Sequence, residues 1–186
     1  QYWRKFNYVQ LRVSIDSSFD TYNYFRTYGN IDLVKENIRK IQKFQMECYE
    51  NNEARIKLSA SITFNMFSSL RWPQISKDWK EYGLSFHSSL ILDNPTSVKY
   101  FPKELSQRAL SEMQWCLDHA EDFFEDKNER DTYRHFTINC MNYIKGFDNQ
   151  FTEFPDFVIK YIDFCDKTSG NNVLDYYPEL EAYLKK

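Results

Sequence analysis

Glycine is scarce in this sequence: Gly29, Gly83, Gly146 and Gly170 are the only ones among 186 residues. Neither the GxGxxG turn of a dinucleotide-binding fold nor a phosphate-cradling GxxxxGKS/T loop can be assembled from such isolated positions, so nucleotide-phosphate chemistry is excluded within these residues. Cysteine is as thinly spread. Cys48, Cys116, Cys140 and Cys165 form no CxxC pair, zinc-finger spacing or disulfide scaffold, and are read as buried thiols of a reducing compartment. No apolar run approaches the roughly 20 residues a bilayer span needs, and no charged-then-apolar leader stands out. The chain is therefore expected to be soluble and cytoplasmic, without a membrane partner. Neither charge sign dominates: 24 Lys+Arg face 27 Asp+Glu for a net charge of -3, which speaks against a nucleic-acid surface.

What the chain does hold is aromatic surface, with 14 tyrosines and 16 phenylalanines among residues numerous enough for one sizeable core. In "NYVQLRVSID" Val9, Leu11, Val13 and Ile15 alternate with Gln10, Arg12, Ser14 and Asp16, the period of a strand. "NIDLVKENIRKIQKFQ" then spaces Ile31, Val34, Ile38, Ile41 and Phe44 as a helix capped by Asn30 or Asp32. A second strand follows in "ARIKLSASITFN", a short helix in "PQISKDWKEYG", and a third strand in "GLSFHSSLILDNP", ended by Pro95. Strands separated by helical connections predict parallel β/α units.

From Lys103 the period is helical throughout. "KELSQRALSEMQWCLDHAEDFF", "NERDTYRHFTINCMNYIKG" and "FPDFVIKYIDFCDKTSG" each carry one apolar stripe, and the last two are closed by Gly146 and Gly170. The tail residues Tyr176, Tyr177, Leu180, Tyr183 and Leu184 are expected to dock it on the body. The expected class is α/β, divided at about 1–102 and 103–186 into a strand-bearing part and a helical extension.

Each strand has one polar face: Arg12, Ser14 and Asp16; Ser59, Ser61, Thr63 and Asn65; Ser85, His87 and Ser89. A sheet with helices outside and a ligand-lined concavity inside has this pattern, as does a solvent-facing antiparallel sheet; the helical crossovers favour the first. Ligands of β/α folds gather at the C-terminal strand ends, which places Ser14 and Asp16, then Thr63 and Asn65, at one candidate site. Arg26 can return to hold a ligand carboxylate in a bidentate pair. The plainer readings are a turn capped by Ser14 and Asp16, an Arg26 paired with Asp20 or Asp32 on the surface, a satisfied polar His87, and Cys140 and Cys165 as buried free thiols.

"VSIDSSFDTYNYFR" followed by "NIDLVKENIRKIQ" resembles the radical S-adenosylmethionine enzymes, particularly the phage-like and bacterial group with a C-terminal twitch or SPASM-like extension. "SASITFN" is similar to that family's next barrel strand, and "GLSFHSSLILDNPTSVKYFPKEL" to its final strand and exit. "FCDKTSGNNVLDYYPELEAYL" resembles the terminal segment of twitch-type members, with Ser169 where an arginine is usual. The resemblance implies the C-terminal part of a partial parallel β/α barrel (radical SAM type) followed by a helical twitch-like extension. It implies S-adenosylmethionine as cofactor, with Ser14 at its ribose, Arg26 at its methionyl carboxylate and Asp16 in the same motif, and offers Thr63, Asn65 and His87 as candidates for the substrate side. The implied reaction is reductive cleavage to a 5'-deoxyadenosyl radical that abstracts a substrate hydrogen, from a small molecule or a peptide.

The family's CxxxCxxC loop, whose three thiolates hold a [4Fe-4S] cluster, is absent from this stretch. The chain opens "QYWRKFNYVQ" without an initiator Met, and is expected to be continued upstream by the barrel segment that supplies the loop. Two rival classes share the same residues: a non-enzymatic α/β small-ligand-binding module, and a phage-type protein-interaction domain using the aromatic helices. Anaerobic reconstitution of the 186-residue chain should leave it without stoichiometric iron. A four-iron absorbance band that disappears when any one cysteine is mutated would overturn that expectation.

Overall fold

The computed structural model describes residues 2–26, 28–90, 94–148 and 151–184, with side chains described throughout these except at 86–90. The alternating run near the start forms β1 (Tyr8–Ser14), and a single turn, α1 (Tyr22–Phe25), precedes the long helix α2 (Ile31–Glu50). Asn30 caps α2, its side chain accepting from the Leu33 amide. Then come β2 (Arg55–Phe64), the short α3 (Met66–Ser69), α4 (Trp72–Glu81) and β3 (Ser85–Leu90).

Among the described residues the strands form a parallel sheet in the order β1-β2-β3, with Leu11 opposite Leu58, Ser14 opposite Ser61 and Ser61 opposite His87. Parallel neighbours cannot be joined by a hairpin. Helix α2 makes the first crossover; α3 and α4 make the second. The chain is thus mixed α/β and mostly helical, as the periodicities predict, but no barrel is seen among the described residues. These few strands form an open sheet, and closure needs a larger, staggered set.

Beyond the sheet lie α5 (Lys103–Asp118), α6 (Ala120–Phe123), α7 (Lys127–Lys145), α8 (Asp156–Ser169), α9 (Val173–Tyr176) and α10 (Glu181–Leu184). The single stripe from Lys103 to Phe124 predicts one helix; the structure breaks it at His119. There the imidazole Nδ1–H donates to the Trp115 carbonyl at 2.8 Å and the ring stacks on Trp115, while the backbone leaves the helical region at φ -110°, ψ 21°. Gly170 closes α8 at φ 71°, a left-handed position that favours glycine. No helix among the described residues is long and apolar enough to cross a membrane.

One continuous core runs from Ile15 on the first strand's end to Leu180 in the tail. Trp72 and Trp79 of α4 are fully buried in it, with Phe64 meeting the Trp72 ring edge-on at 5.6 Å. Each side chain of this size contributes about 1.5–3 kcal/mol of transfer free energy by leaving water. The strand faces differ in cover: Ile56, Leu58, Ala60, Ile62 and Phe64 of β2 are buried, whereas Arg55 and Lys57 are exposed and Ser61 and Thr63 half-buried.

Helix α4 also carries Asp78, buried to 6 % exposure, whose carboxylate accepts from the Phe19 backbone N–H at 2.7 Å and from the Gln74 amide at 2.9 Å. Burial pushes its pKa up against the opposing pull of the Phe19 bond. A folded-state carboxyl that holds its proton longer than the unfolded one contributes stability fully below the unfolded value near 3.8, and loses it as pH rises through the raised folded value. In Asp78→Asn the amide oxygen can still accept from Phe19, and that pH-dependent loss should vanish. Urea midpoints of the two proteins compared across this range test it; parallel curves would show that Asp78 has no shifted proton.

Candidate functional site

Between β1 and α1 the chain turns through residues 15–21, and the turn is almost wholly buried: Ile15, Ser17, Ser18 and Thr21 are each at most 1 % exposed. Hydroxyls in such a place must find partners, since one left unpaired costs about 1–3 kcal/mol. Ser17 Oγ lies 2.5 Å from Thr21 Oγ1 and 2.9 Å from the Tyr177 hydroxyl, and Ser18 Oγ lies 2.9 Å from Thr21 Oγ1. Ile15 N–H continues the ladder by donating to the Ser61 carbonyl at 2.8 Å. The turn is fastened to the sheet, to α4 through Phe19 and Asp78, and to the tail through Tyr177.

From this fixed turn Asp16 projects half-buried. Its Oδ2 pairs with Arg26 Nη2 at 2.6 Å, and its Oδ1 accepts from the Thr63 hydroxyl of β2 at 3.0 Å. The same Arg26 nitrogen donates to Ser14 Oγ at 3.0 Å. Ser14, Asp16, Arg26 and Thr63, all named from the sequence, are therefore one hydrogen-bonded cluster at the C-terminal ends of β1 and β2. Arg26 finds neither Asp20 nor Asp32 but Asp16. Its Nε is buried without a hydrogen-bond partner among the described residues.

The return of Arg26 depends on Gly29. A Cβ there would meet the Arg26 carbonyl oxygen at 2.7 Å and the Tyr22 ring at 2.9 Å, too close for any side chain, and Gly29 N–H donates to that same carbonyl at 2.6 Å. The glycine lets the chain close tightly behind the arginine.

In front of the cluster lies a cavity of about 350 Å³ bounded by the strand ends and by α8. Asp16, Thr63 and Asn65 line its sheet side; Tyr161, Phe164 and Cys165 line its helix side. Asn65 is held in place as the cap of α3, its Oδ1 accepting from the Phe67 and Ser68 amides at 2.9 and 3.0 Å. His87 is on β3 opposite Ser61, and its side chain lies outside the described residues. Cys140 is buried as the stripe predicts, but Cys165 is half-buried and faces the cavity, its thiol pushed up by burial from its ordinary value.

Sequence reading missed the contribution of α8, although Tyr161, Cys165 and Thr168 at helical spacing on one face were available as a signal. It also missed Tyr24, hidden in an aromatic run, whose hydroxyl is buried without a hydrogen-bond partner beside the same cavity. Among the described residues no group of three His, Cys, Asp or Glu side chains is placed to hold a metal ion. Compared with known proteins, the chain matches no family model, no curated protein and no solved structure.

The Asp16–Arg26 pair is only partly screened from water, with 21 % and 42 % of the two side chains exposed. Its coupling is expected in the range of about 0.2–1 kcal/mol, and to weaken in high salt. Urea titration of Asp16→Asn, Arg26→Gln and the double variant measures it; a coupling above 2 kcal/mol would mark the cluster as a main support of the fold.

Proposed function

We propose that this chain is the C-terminal part of a radical S-adenosylmethionine enzyme. Its strands are read as the later strands of a partial β/α barrel, and the helices after Lys103 as the twitch-like extension. The observation that carries the reading is the convergence of Ser14, Asp16 and Arg26 at one strand end, before a cavity roofed by a helix of that extension.

In this reading Ser14 takes the ribose of adenosylmethionine and Arg26 its methionyl carboxylate. The Nε–H of Arg26, buried without a hydrogen-bond partner among the described residues, supports it; Arg26 and Ser14 stand outside the cavity lining, so the carboxylate must displace the atoms that cover this nitrogen while Nη2 keeps Asp16 and Ser14. Asp16 serves as an orienting group, fixing the guanidinium plane so that less rotamer freedom is lost when the ligand arrives. When bound, adenosylmethionine supplies, on reductive cleavage, the 5'-deoxyadenosyl radical that takes a hydrogen atom from substrate. The contribution of this chain is to bind and orient that molecule and to wall off the cavity in which a substrate would meet it.

The [4Fe-4S] cluster of the family does not fit the described residues. Its three thiolates must share one centre, whereas Cys48, Cys116 and Cys140 are separately buried and Cys165 stands alone at the cavity. On this reading the cluster sits in a barrel segment that would precede these residues. The free side of β1 supports such a neighbour. Among the described residues β1 pairs only with β2, and even its apolar Val9, Leu11 and Val13 are no more than half-buried. A reducing cytoplasm is the compartment this assignment implies.

The test is calorimetric titration of adenosylmethionine into cluster-loaded protein that includes the preceding segment. Arg26→Ala should cost about 1.5–3 kcal/mol through loss of a charged contact, and Ser14→Ala about 0.5–1.5 kcal/mol through loss of a neutral one. The double variant should fall short of the sum, because both act through one bound molecule. Unchanged affinity in Arg26→Ala returns the cluster to a purely structural clamp of the β1 turn.

A further inference from the structure

The cavity under α8 is rich in hydrogen-bond donors that the protein itself leaves unanswered. Asn65 commits its Oδ1 to the Phe67 and Ser68 amides, and Asn94 commits its Oδ1 to the Thr96 amide at 3.0 Å and hydroxyl at 3.1 Å. A backbone N–H can only donate, so the atom facing it is the amide oxygen, and the NH₂ end of each side chain keeps the unused capacity. Both residues line the cavity. Tyr24 lines it too: the residue is 4 % exposed and its hydroxyl makes no hydrogen bond of good geometry among the described residues. Burial, reinforced by the Asp166 carboxylate, which is the competing acceptor near this hydroxyl, pushes its pKa up and keeps it a protonated donor.

Charge is largely cancelled in the same space. Among the described residues Asp16 is the one charged side chain in the lining, and both of its oxygens are engaged, by Arg26 and by Thr63. Among the described residues no lysine, arginine or histidine lines the cavity, and Arg26, outside the lining, has its charge offset by Asp16. A cation finds a carboxylate already paired and, in the same lining, amide and hydroxyl donors. The remaining walls mix apolar and polar groups, with Phe25, Phe67 and Ile162 beside Thr96, Tyr161, Cys165 and Thr168, and Phe164, 63 % exposed, at the solvent side.

We infer that this cavity binds an uncharged ligand with an aromatic body and carbonyl oxygens, which accept from the Tyr24 hydroxyl and the Asn65 and Asn94 amides. Sites of this kind discriminate sharply, because a ligand lacking the acceptor leaves a buried donor unpaired. The carbonyl chemistry could come from a peptide segment or from a free aromatic lactam. Naming the ligand a substrate rests on the function proposed above; its binding to this chain does not.

Saturation-transfer NMR on the 186-residue chain, without adenosylmethionine, provides the test. The probes are N-acetylphenylalaninamide, phenylacetate and 2-phenylethylammonium, with a capped Gly-Phe-Gly peptide and 2-quinolone to separate the two sources. The neutral amide should show ring saturation and the two ions none at equal concentration. Tyr24→Phe should bind the neutral probe about two- to tenfold more weakly, the loss of one neutral hydrogen bond, with an unchanged or higher urea midpoint because an unpaired buried hydroxyl has been removed. Tighter binding of the peptide identifies a peptide source and tighter binding of the quinolone a small molecule. Equal binding of either ion, unchanged binding in Tyr24→Phe, or no binding of any neutral probe overturns the inference. Loss of adenosylmethionine binding in Arg26→Ala is read separately, so either idea can fail while the other stands.

Discussion

The burial of the turn after β1 is the constraint on which the rest of this structure hangs. Ser17, Ser18 and Thr21 bring three hydroxyls into a space closed to water, and local bonds among them cannot satisfy every group. The missing partners come from far along the chain, Tyr177 from the tail and Asp78 from α4. The tail is held in turn by Arg71, which forms a two-point pair with Glu179, donates to the Tyr176 carbonyl and lies over the Tyr177 ring at 4.5 Å. With both side chains of that ion pair largely shielded, breaking it by removing one partner would strand a poorly hydrated charge. The direction in which Asp16 points is thus decided partly by residues more than 150 positions away.

This coupling bears on how the candidate site can work. The Asp16–Arg26 pair is partly exposed and contributes little to stability by itself, so its worth is geometric. A guanidinium held on one edge by Asp16 and Ser14 presents its remaining edge in a set orientation. Tyr24 is placed by the same device, its ring packed between Phe67, Tyr176 and Tyr177 at centroid distances of 5.5 to 6.5 Å. Part of the aromatic abundance of the sequence serves this junction of turn, tail and sheet.

Much of the layout was legible in advance. Alternation in "NYVQLRVSID" and "ARIKLSASITFN" marked strands that the structure realises as Tyr8–Ser14 and Arg55–Phe64, and the helical stripes from Asn128 and from Pro155 became α7 and α8. Ser14, Asp16, Arg26 and Thr63 were picked out as polar groups at strand ends, and they meet there. The reading faltered where one side chain competes with the backbone, as His119 does in breaking the helix after Asp118. It also faltered where a group is defined by what it lacks: an unpaired Tyr24 hydroxyl leaves no trace in a string of aromatic letters.

Periodicity and composition by themselves determined which segments are strands and helices, that the strands carry one polar face, and that glycine-loop nucleotide sites are absent from these residues. Those properties are local, set by which residues recur every two or every 3.6 positions. Only the tertiary structure decided that Arg26 would answer Asp16 rather than Asp20 or Asp32, that α8 would cover the strand ends, and that the tail would satisfy the first turn. Each of those outcomes pairs a buried polar group, or closes an apolar face, with a partner distant in sequence. The pairing is settled by the requirement that no buried donor or acceptor be wasted across the whole packed chain, a condition that no single segment contains.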